Sequence, residues 1–309
     1  MTGASGQLSA ILTRAALSAL LMGLLLVPAL SSAQTLERIQ RTSTFTVGFI
    51  PDQAPFSIKA ADGRAEGYSI GLCRKVADSV KAALGLTSLD VKYIATPMEP
   101  GFGMVAGGEV DILCGAVTAT LKRRARVSFS LPVYSGGIGV LLRRDAHPSL
   151  VNVLEGDARR ASPRMGTTMN RGLVNHIYAV HAGTTSEQWV RKKVYTLGII
   201  SRIVTVDTHE KGVDLVARKK ADAYFADRII LENYAARSQG HEDLMVLDRY
   251  FSHEPIALVT ARGDEDFRLL VDTTLSDLYH SGAISDIYTR YFGKPDEMTD
   301  LLFEIYARP

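Results

Sequence analysis

This chain of 309 residues has few cysteines, little excess of charge of either sign and no cluster of histidines in its sequence. Each of these features excludes a class of protein. Two cysteines are too few for a small fold held together by several disulfides. The 35 Lys plus Arg against 33 Asp plus Glu give a formal net charge of +2, so we expect no nucleic-acid partner. The seven histidines are scattered and form no HExxH motif, so we expect no metal site.

The first 33 residues have the pattern of a secretory signal peptide. Arg14 precedes an apolar run over residues 15–30, and small residues follow the run. We expect cleavage between Ala33 and Gln34, and therefore an exported protein. A permanent membrane anchor is the alternative, but the apolar run is short against the roughly 20 residues that a spanning helix needs.

The rest of the chain alternates short apolar runs with amphipathic stretches, which is typical of parallel sheets covered by helices. Strands are predicted over residues 45–50, 91–95, 110–113, 177–180, 203–206 and 221–226. Helices are predicted to begin near residues 72, 102, 185, 209 and 229, with a long helix over 267–278. The sequence therefore predicts an α/β fold of two βαβαβ halves, with residues 154–175 as a surface insertion.

Two short patterns allow both a functional and a structural interpretation. Residues 67–71 match the G-x-S-x-G motif of hydrolases, but no strand leads directly into them, so we interpret Ser69 as part of a helix start. Cys73 and Cys114 fall in the same half of the chain. Either a disulfide or two buried thiols fits this placement.

Residues 114–132 carry small, hydroxyl and basic residues directly after the third predicted strand. Ligands of open parallel sheets bind beyond the carboxyl ends of the strands. A guanidinium such as that of Arg123, a Thr hydroxyl and backbone N–H groups can together hold one carboxylate there. A solvated basic loop is the alternative interpretation of the same residues.

Six short segments, taken in order, resemble the periplasmic amino-acid-binding proteins of ABC importers, which form solute-binding protein family 3. They are residues 54–57, 66–70, 108–112, 118–132, 183–187 and 221–227, and the resemblance extends over about 40–295. The glutamate/aspartate-type branch is the nearest. The resemblance implies a type II periplasmic-binding-protein fold, in which two doubly wound sheets form two lobes joined by two hinge strands.

On this resemblance, the first lobe comprises residues 40–139 and, with the C-terminal helices, residues 250–309. The second lobe comprises residues 142–247. The family's function implies a monomer of the periplasm that captures an amino acid by closure of the lobes and delivers it to membrane ABC permease subunits. It implies no cofactor and no enzymatic activity. The alternatives are a periplasmic dehydratase of the cyclohexadienyl type and a ligand-sensing partner of a membrane receptor.

The resemblance also assigns ligand contacts to individual residues. Arg123 would bind the α-carboxylate of the ligand, and Asp227 would accept its α-ammonium group. Thr185, at a helix N-terminus that favours anions, would also contact the carboxylate. The remaining expected ligand contacts are Thr118, Ala116, Ile50, Phe56, Met98 and His209.

Two of these positions give opposite indications about the side chain of the ligand. Ile50 lies where relatives that bind acidic ligands carry an Arg, and burial of an unpaired ligand charge beside an Ile would be costly. His209, however, lies 18 residues before Asp227, as in the branch that binds acidic ligands. We expect an uncharged polar or medium apolar side chain, with an acidic side chain as the runner-up.

Overall fold

The computed structural model describes residues 35–156 and 171–308. The predicted signal peptide, its cleavage site and most of the predicted insertion lie outside the described residues. Within those residues, every helix is too short or too polar to cross a membrane.

Helices and short strands alternate along most of the described chain. The helices are α1 (Thr35–Thr42), α2 (Tyr68–Ala83), α3 (Met98–Gly107), α4 (Leu121–Arg124), α5 (Pro148–Glu155), α6 (Thr185–Thr196), α7 (His209–Ala217), α8 (Arg228–Arg237), α9 (Glu265–His280), α10 (Ala283–Phe292) and α11 (Glu297–Tyr306). The strands are β1 (Thr44–Phe49), β2 (Asp52–Gln53), β3 (Ser57–Lys59), β4 (Ala65–Glu66), β5 (Asp90–Ala95), β6 (Ile112–Cys114), β7 (Val127–Gly136), β8 (Ile138–Arg143), β9 (Ile177–His181), β10 (Arg202–Val206), β11 (Ala223–Asp227), β12 (Leu244–Val246) and β13 (Glu254–Ala261).

Two five-stranded sheets form the centres of two lobes. The first sheet has the strand order β5-β1-β6-β13-β7, and the second has the order β10-β9-β11-β8-β12. In each sheet three neighbouring strands are parallel. A fourth strand pairs antiparallel with the third, and a fifth strand pairs antiparallel with the fourth. A small third sheet of β2, β3 and β4 belongs to the first half of the chain. The predicted two-lobed, doubly wound α/β fold is confirmed, while the predicted end points of the lobes stay a prediction.

Helix boundaries show where sequence patterns locate elements well and where they do not. α7 coincides with the predicted helix over 209–217 because Val213 and Val216 form its buried face. α3 begins at Met98, four residues before its predicted start. The prediction was wrong there because α3 includes a proline. Pro100 lies in the first turn, where backbone N–H groups have no partner within the helix, so a residue without an N–H is tolerated.

The chain crosses between the two sheets twice, and glycines allow the two crossings to approach each other. Gly136 ends β7 and pairs with Glu254, the first residue of β13. A Cβ atom at Gly137 would collide with the carbonyl oxygen of Ser252 on the returning strand. A Cβ atom at Gly136 would collide with the carboxylate of Asp227. Side chains at these two positions would therefore separate the hinge strands from each other and from the second lobe.

Cys73 and Cys114 form a disulfide that joins α2 to the end of β6. Both residues are fully buried in the core of the first lobe, with Val76, Ile112 and Phe267. Of the two interpretations that the sequence left open, the structure shows the disulfide. The bond fixes the start of the segment that carries Ala116 and Arg123.

Ser69 has a structural role in α2 instead of the exposed position of a hydrolase nucleophile. Its side chain is fully buried, and its hydroxyl donates to the carbonyl oxygen of Gly115 over 3.1 Å. Gly67, with φ of 127°, precedes the helix and adopts a backbone conformation that side chains disfavour. The first glycine of the G-x-S-x-G pattern, Gly67, thus allows the turn into α2.

Candidate binding site between the lobes

Arg123 is a buried cation at the carboxyl end of the first sheet. The hydroxyl of Thr120 accepts the N–H of Arg123 over 3.1 Å and so begins the short helix α4. The guanidinium is only 8% exposed and donates to the carbonyl oxygen of Thr118 over 2.9 Å and to the Met98 sulfur over 3.0 Å. It also approaches the Gly183 carbonyl oxygen of the second lobe at 3.4 Å.

These partners of Arg123 are uncharged, although the side chain is buried. Within the two described ranges, no carboxylate forms an ion pair with the guanidinium; Glu99 and Glu254 act on it only through space. Burial lowers the pKa of Arg123 from its ordinary value. A buried cation without an anionic partner is costly, so the arrangement is suited to an anion that enters from the cleft.

Asp227 is a buried carboxylate at the carboxyl end of β11 in the second sheet. It begins α8, where its side chain accepts the N–H of Ile229 over 3.2 Å, and it also accepts the N–H of Gly137 over 3.1 Å. Burial raises the pKa of Asp227 to about 7, and the nearby Glu254 contributes to the increase. Among residues 35–156 and 171–308 no cation pairs with this carboxylate, so it is suited to an ammonium group.

Glu254 joins the lobes at the hinge, and the sequence analysis missed it. Its Oε2 atom accepts hydrogen bonds from the hydroxyl of Thr118 over 3.0 Å and from the hydroxyl of Thr185 over 2.7 Å. Thr118 belongs to the first lobe, and Thr185 begins α6 in the second. The available signal was an acidic residue directly before the apolar run of β13, at the point where the chain returns to the first sheet.

His209 lies at the start of α7 and also lines the cavity. Its Nδ1 atom is 2.7 Å from the hydroxyl of Tyr224, and its ring is 4.8 Å from that of His181. Burial lowers the pKa of His209 well below its ordinary value, so the ring is neutral. The backbone N–H of His209 donates to Asp52 of the first lobe over 2.7 Å, a contact that the sequence analysis also missed.

Seven of the nine predicted ligand contacts line one cavity between the lobes. The empty space at the cavity measures about 430 Å³, including the part open to solvent. The predicted residues among its walls are Arg123, Thr118, Ala116, Thr185, Asp227, Met98 and His209. Gln53, Gly137, Ile138, Thr184, Ser186, Ala226, Ile230 and Glu254 complete the lining.

Ile50 and Phe56 do not line this cavity. Ile50 is 6% exposed and packs in the core with Phe102 and Leu113, because it follows β1 and its side chain lies against the backbone of Gly115. Phe56 is fully buried among the rings of Tyr68, Tyr134 and Phe292. Both side chains were predicted to contact the ligand, but the structure places them in the core and away from this cavity.

Metal binding finds no support in the described residues. Over residues 35–156 and 171–308, no three His, Cys, Asp or Glu side chains converge in a way that could hold a metal ion. The side chains that line the cavity offer one guanidinium, two carboxylates, an imidazole, an amide and hydroxyl groups.

Comparison with known proteins gives relatives that cover most of the chain. An L-glutamate/L-aspartate-binding protein of Pseudomonas aeruginosa is 28% identical over 262 residues, which is 84% of this chain and 80% of that protein. A glutamate/aspartate import solute-binding protein of Salmonella typhimurium is 22% identical over 265 residues, or 86% of this chain and 82% of that protein.

Solved structures support the same fold. The ancestral amino acid-binding protein AncCDT-1, a precursor of cyclohexadienyl dehydratase, superposes with a TM-score of 0.67 at 23% identity, covering 84% of this chain and 100% of that chain. A mutant of the T. maritima protein ArgBP also gives a TM-score of 0.67, at 20% identity, with the same coverage. At these identities the similarity concerns the fold alone.

The family itself follows from a match to most of the described chain. The model of the bacterial extracellular solute-binding proteins, family 3, matches residues 45–294. That range contains both sheets except Thr44 at the start of β1, both hinge crossings and every residue of the cavity. The resemblance inferred from the six short segments is thereby confirmed, and the chain belongs to family 3 of the bacterial extracellular solute-binding proteins.

Proposed function

We propose that this chain is the periplasmic binding component of an ABC importer, which captures an amino acid between its lobes and delivers it to membrane permease subunits. The observation that supports this proposal most directly is that Arg123 is a buried guanidinium at the cavity without a carboxylate partner in the described part of the chain. Asp227, the buried carboxylate of the opposite lobe, complements it. A cation from one lobe and an anion from the other match the two charges of an amino acid.

Closure follows from the distribution of these groups over the two lobes. A ligand that contacts Arg123 and Thr118 from the first lobe and Thr185 and Asp227 from the second stabilises the closed arrangement relative to an open one. We propose a monomer that is exported with a signal peptide cleaved between Ala33 and Gln34. The curated relatives, named as import and binding proteins, support the transport role.

For the ligand, we propose an amino acid with an uncharged polar or medium apolar side chain; an acidic side chain is the runner-up. Gln53, Met98 and Ile230 give the cavity a mixture of amide and apolar surface. Arg123 is the only Lys or Arg among the described residues that line it, and the α-carboxylate uses that cation. A second ligand carboxylate would therefore lack a basic partner in the described lining.

The experiment is a thermal-shift and calorimetric panel of amino acids on mature protein that has been unfolded, dialysed and refolded. A ligand present at 100 times its dissociation constant stabilises the folded state by about 2.7 kcal/mol, so binding appears as a clear increase in Tm. Arg123→Ala should weaken binding by at least about 100-fold, because it removes a charge-assisted contact from a buried site. Arg123→Lys should be intermediate, since an ammonium cannot form the two-pronged contact.

Arg126→Ala is the matched control for the loss of positive charge. Arg126 also lies near the ring of Phe102, at 5.8 Å against 5.4 Å for Arg123, but it is half exposed and pairs with Glu99. Its removal should leave the dissociation constant within about twofold. Near-native affinity in Arg123→Ala, or an equal loss in Arg126→Ala, would contradict the proposed site.

A periplasmic dehydratase of the cyclohexadienyl type is the second candidate, on one observation. Asp227 is a buried carboxyl with a pKa of about 7, which is the property expected of a general acid at neutral pH. Turnover of arogenate or prephenate, lost in Asp227→Asn, would establish this function. Tight amino-acid binding without turnover favours the binding protein.

A further inference from the structure

Asp52 is a carboxylate of the first lobe that reaches across the cleft into the second. It lies in β2, next to Gln53, which lines the cavity. Its Oδ2 atom accepts the backbone N–H of His209 over 2.7 Å, and its Oδ1 atom accepts the hydroxyl of Tyr234 over 2.6 Å. Both donors belong to the second lobe, so the contact exists only when the lobes are close together.

Asp52 lies at the N-terminus of α7, a position that favours an anion. α7 has nine residues, and its first N–H groups carry the positive end of the helix dipole. Asp52 takes the first of these N–H groups, that of His209. The His209 imidazole adds no positive charge, because burial holds its pKa well below the ordinary value, and the Tyr224 hydroxyl lies 2.7 Å from its Nδ1 atom.

The side chain of a bound amino acid must point toward the N-terminus of α7. With its carboxylate at Arg123 and its ammonium group at Asp227, the ligand has the region of Gln53 and His209 left for its side chain. A ligand side-chain carboxylate there would lie near the negative charge of Asp52, which adjoins Gln53 and bonds His209. Apart from Arg123, the described cavity walls carry no Lys or Arg that could compensate it. An amide of the same shape would meet no such repulsion.

We infer that Asp52 is a specificity-determining residue that disfavours amino acids with a second carboxylate relative to the amides of the same shape. The inference rests on the proposed function and decides between its two ligand classes. Asp52 acts in two ways at once, since it bridges the lobes and it repels an anionic side chain. The two actions can be separated, because only the second distinguishes glutamine from glutamate.

The test measures dissociation constants by calorimetry for two pairs of equal shape, glutamine with glutamate and asparagine with aspartate. Asp52→Asn keeps a hydrogen-bond acceptor for the second lobe and removes the charge. Relative to the unmodified protein, it should improve the ratio of acidic to amide affinity by at least about tenfold in one or both pairs, equivalent to about 1.4 kcal/mol. Circular dichroism melts on each variant establish that it is folded.

Two further variants serve as controls. Asp207→Asn removes a carboxylate that is 71% exposed and pairs with Lys211 beside α7, so it tests the general loss of negative charge. Tyr234→Phe removes one bond across the cleft but leaves Asp52 charged, so it should weaken all ligands by a similar factor and leave the acidic-to-amide ratio unchanged.

The outcomes separate the inference from the proposed function on which it rests. An unchanged acidic-to-amide ratio in Asp52→Asn, or an equal shift in Asp207→Asn, overturns the inference alone. Tighter binding of glutamate than of glutamine by the unmodified protein overturns the inference and the preferred ligand class, while capture of an amino acid stands. A refolded, unmodified protein that binds no member of a full amino-acid panel overturns the proposed function and the inference with it.

Discussion

Ligand affinity should depend on pH through Asp227, and the size of the dependence follows from its burial. The carboxyl has a pKa of about 7 in the protein against an ordinary value of 3.8. About half of the carboxyl is ionised at pH 7 and about 1% at pH 5. If the ligand ammonium returns the pKa to the ordinary value, the dissociation constant should rise about 50-fold from pH 7 to pH 5, or about 2.3 kcal/mol.

The direction of the effect follows from which form of Asp227 binds. The ammonium pairs with the ionised form, so binding releases a proton below pH 7 and weakens as the pH falls. Without ligand the sign for stability is opposite: because the folded-state pKa is raised, the folded protein holds more protons than the unfolded chain, and the contribution of Asp227 to stability falls as pH rises from about 4 to 7.

Calorimetry at pH 5, 6 and 7 in buffers of different ionisation enthalpy measures both the affinity and the proton release. Asp227→Asn is the control, since its amide does not titrate; it should bind more weakly at pH 7 and lose most of the pH dependence. Burial also raises the pKa of Asp52 above its ordinary value, so Asp52→Asn tests whether that carboxyl contributes to the slope. A dissociation constant that is equal at pH 5 and 7, or a slope that persists in Asp227→Asn, would refute the reasoning.

Two predictions concern stability. Reduction of the Cys73–Cys114 disulfide, which closes a separation of 41 residues, should lower the free energy of unfolding by about 4 kcal/mol, measured by urea titration with and without a thiol reductant; equal midpoints would contradict this. Gly137→Ala should lower the free energy of unfolding by about 1–3 kcal/mol, because its methyl group collides with the Ser252 carbonyl. Gly103 lies in a helix with open space around it, so Gly103→Ala should not lower Tm. Equal Tm values for Gly137→Ala and Gly103→Ala would contradict the prediction.

The parts of the fold that sequence patterns predicted are those whose contacts are local. The strand over 221–226 and the helix over 209–217 appear close to their predicted positions, because periodic burial along one element leaves a periodic pattern in the sequence. The three-stranded sheet of β2, β3 and β4 was not predicted, since strands of two or three residues are too short to show a pattern. The disulfide could not be decided from two cysteines alone.

The site shows the same division between local and distant contacts. Arg123 and Asp227 were predicted as ligand contacts because each lies in a short segment that resembles the family, residues 118–132 and 221–227. Glu254 and Asp52 were missed because their partners are distant: Glu254 bonds Thr118 at a separation of 136 residues, and Asp52 bonds His209 at 157. Ile50 was assigned to the ligand because it lies where relatives that bind acidic ligands carry an Arg. Side-chain direction alternates along an extended segment, and here the side chain packs in the core.

The groups that would bind the ligand are also the groups that connect the lobes, so effects on affinity and on closure should be coupled. Glu254 links a hydroxyl from each lobe, and Asp52 links β2 to α7. Removal of either contact changes the free energy of closure, and closure determines how much of the protein can hold a ligand from both sides. Substitutions at these two positions should therefore combine non-additively with substitutions at Arg123, because they act on one shared equilibrium.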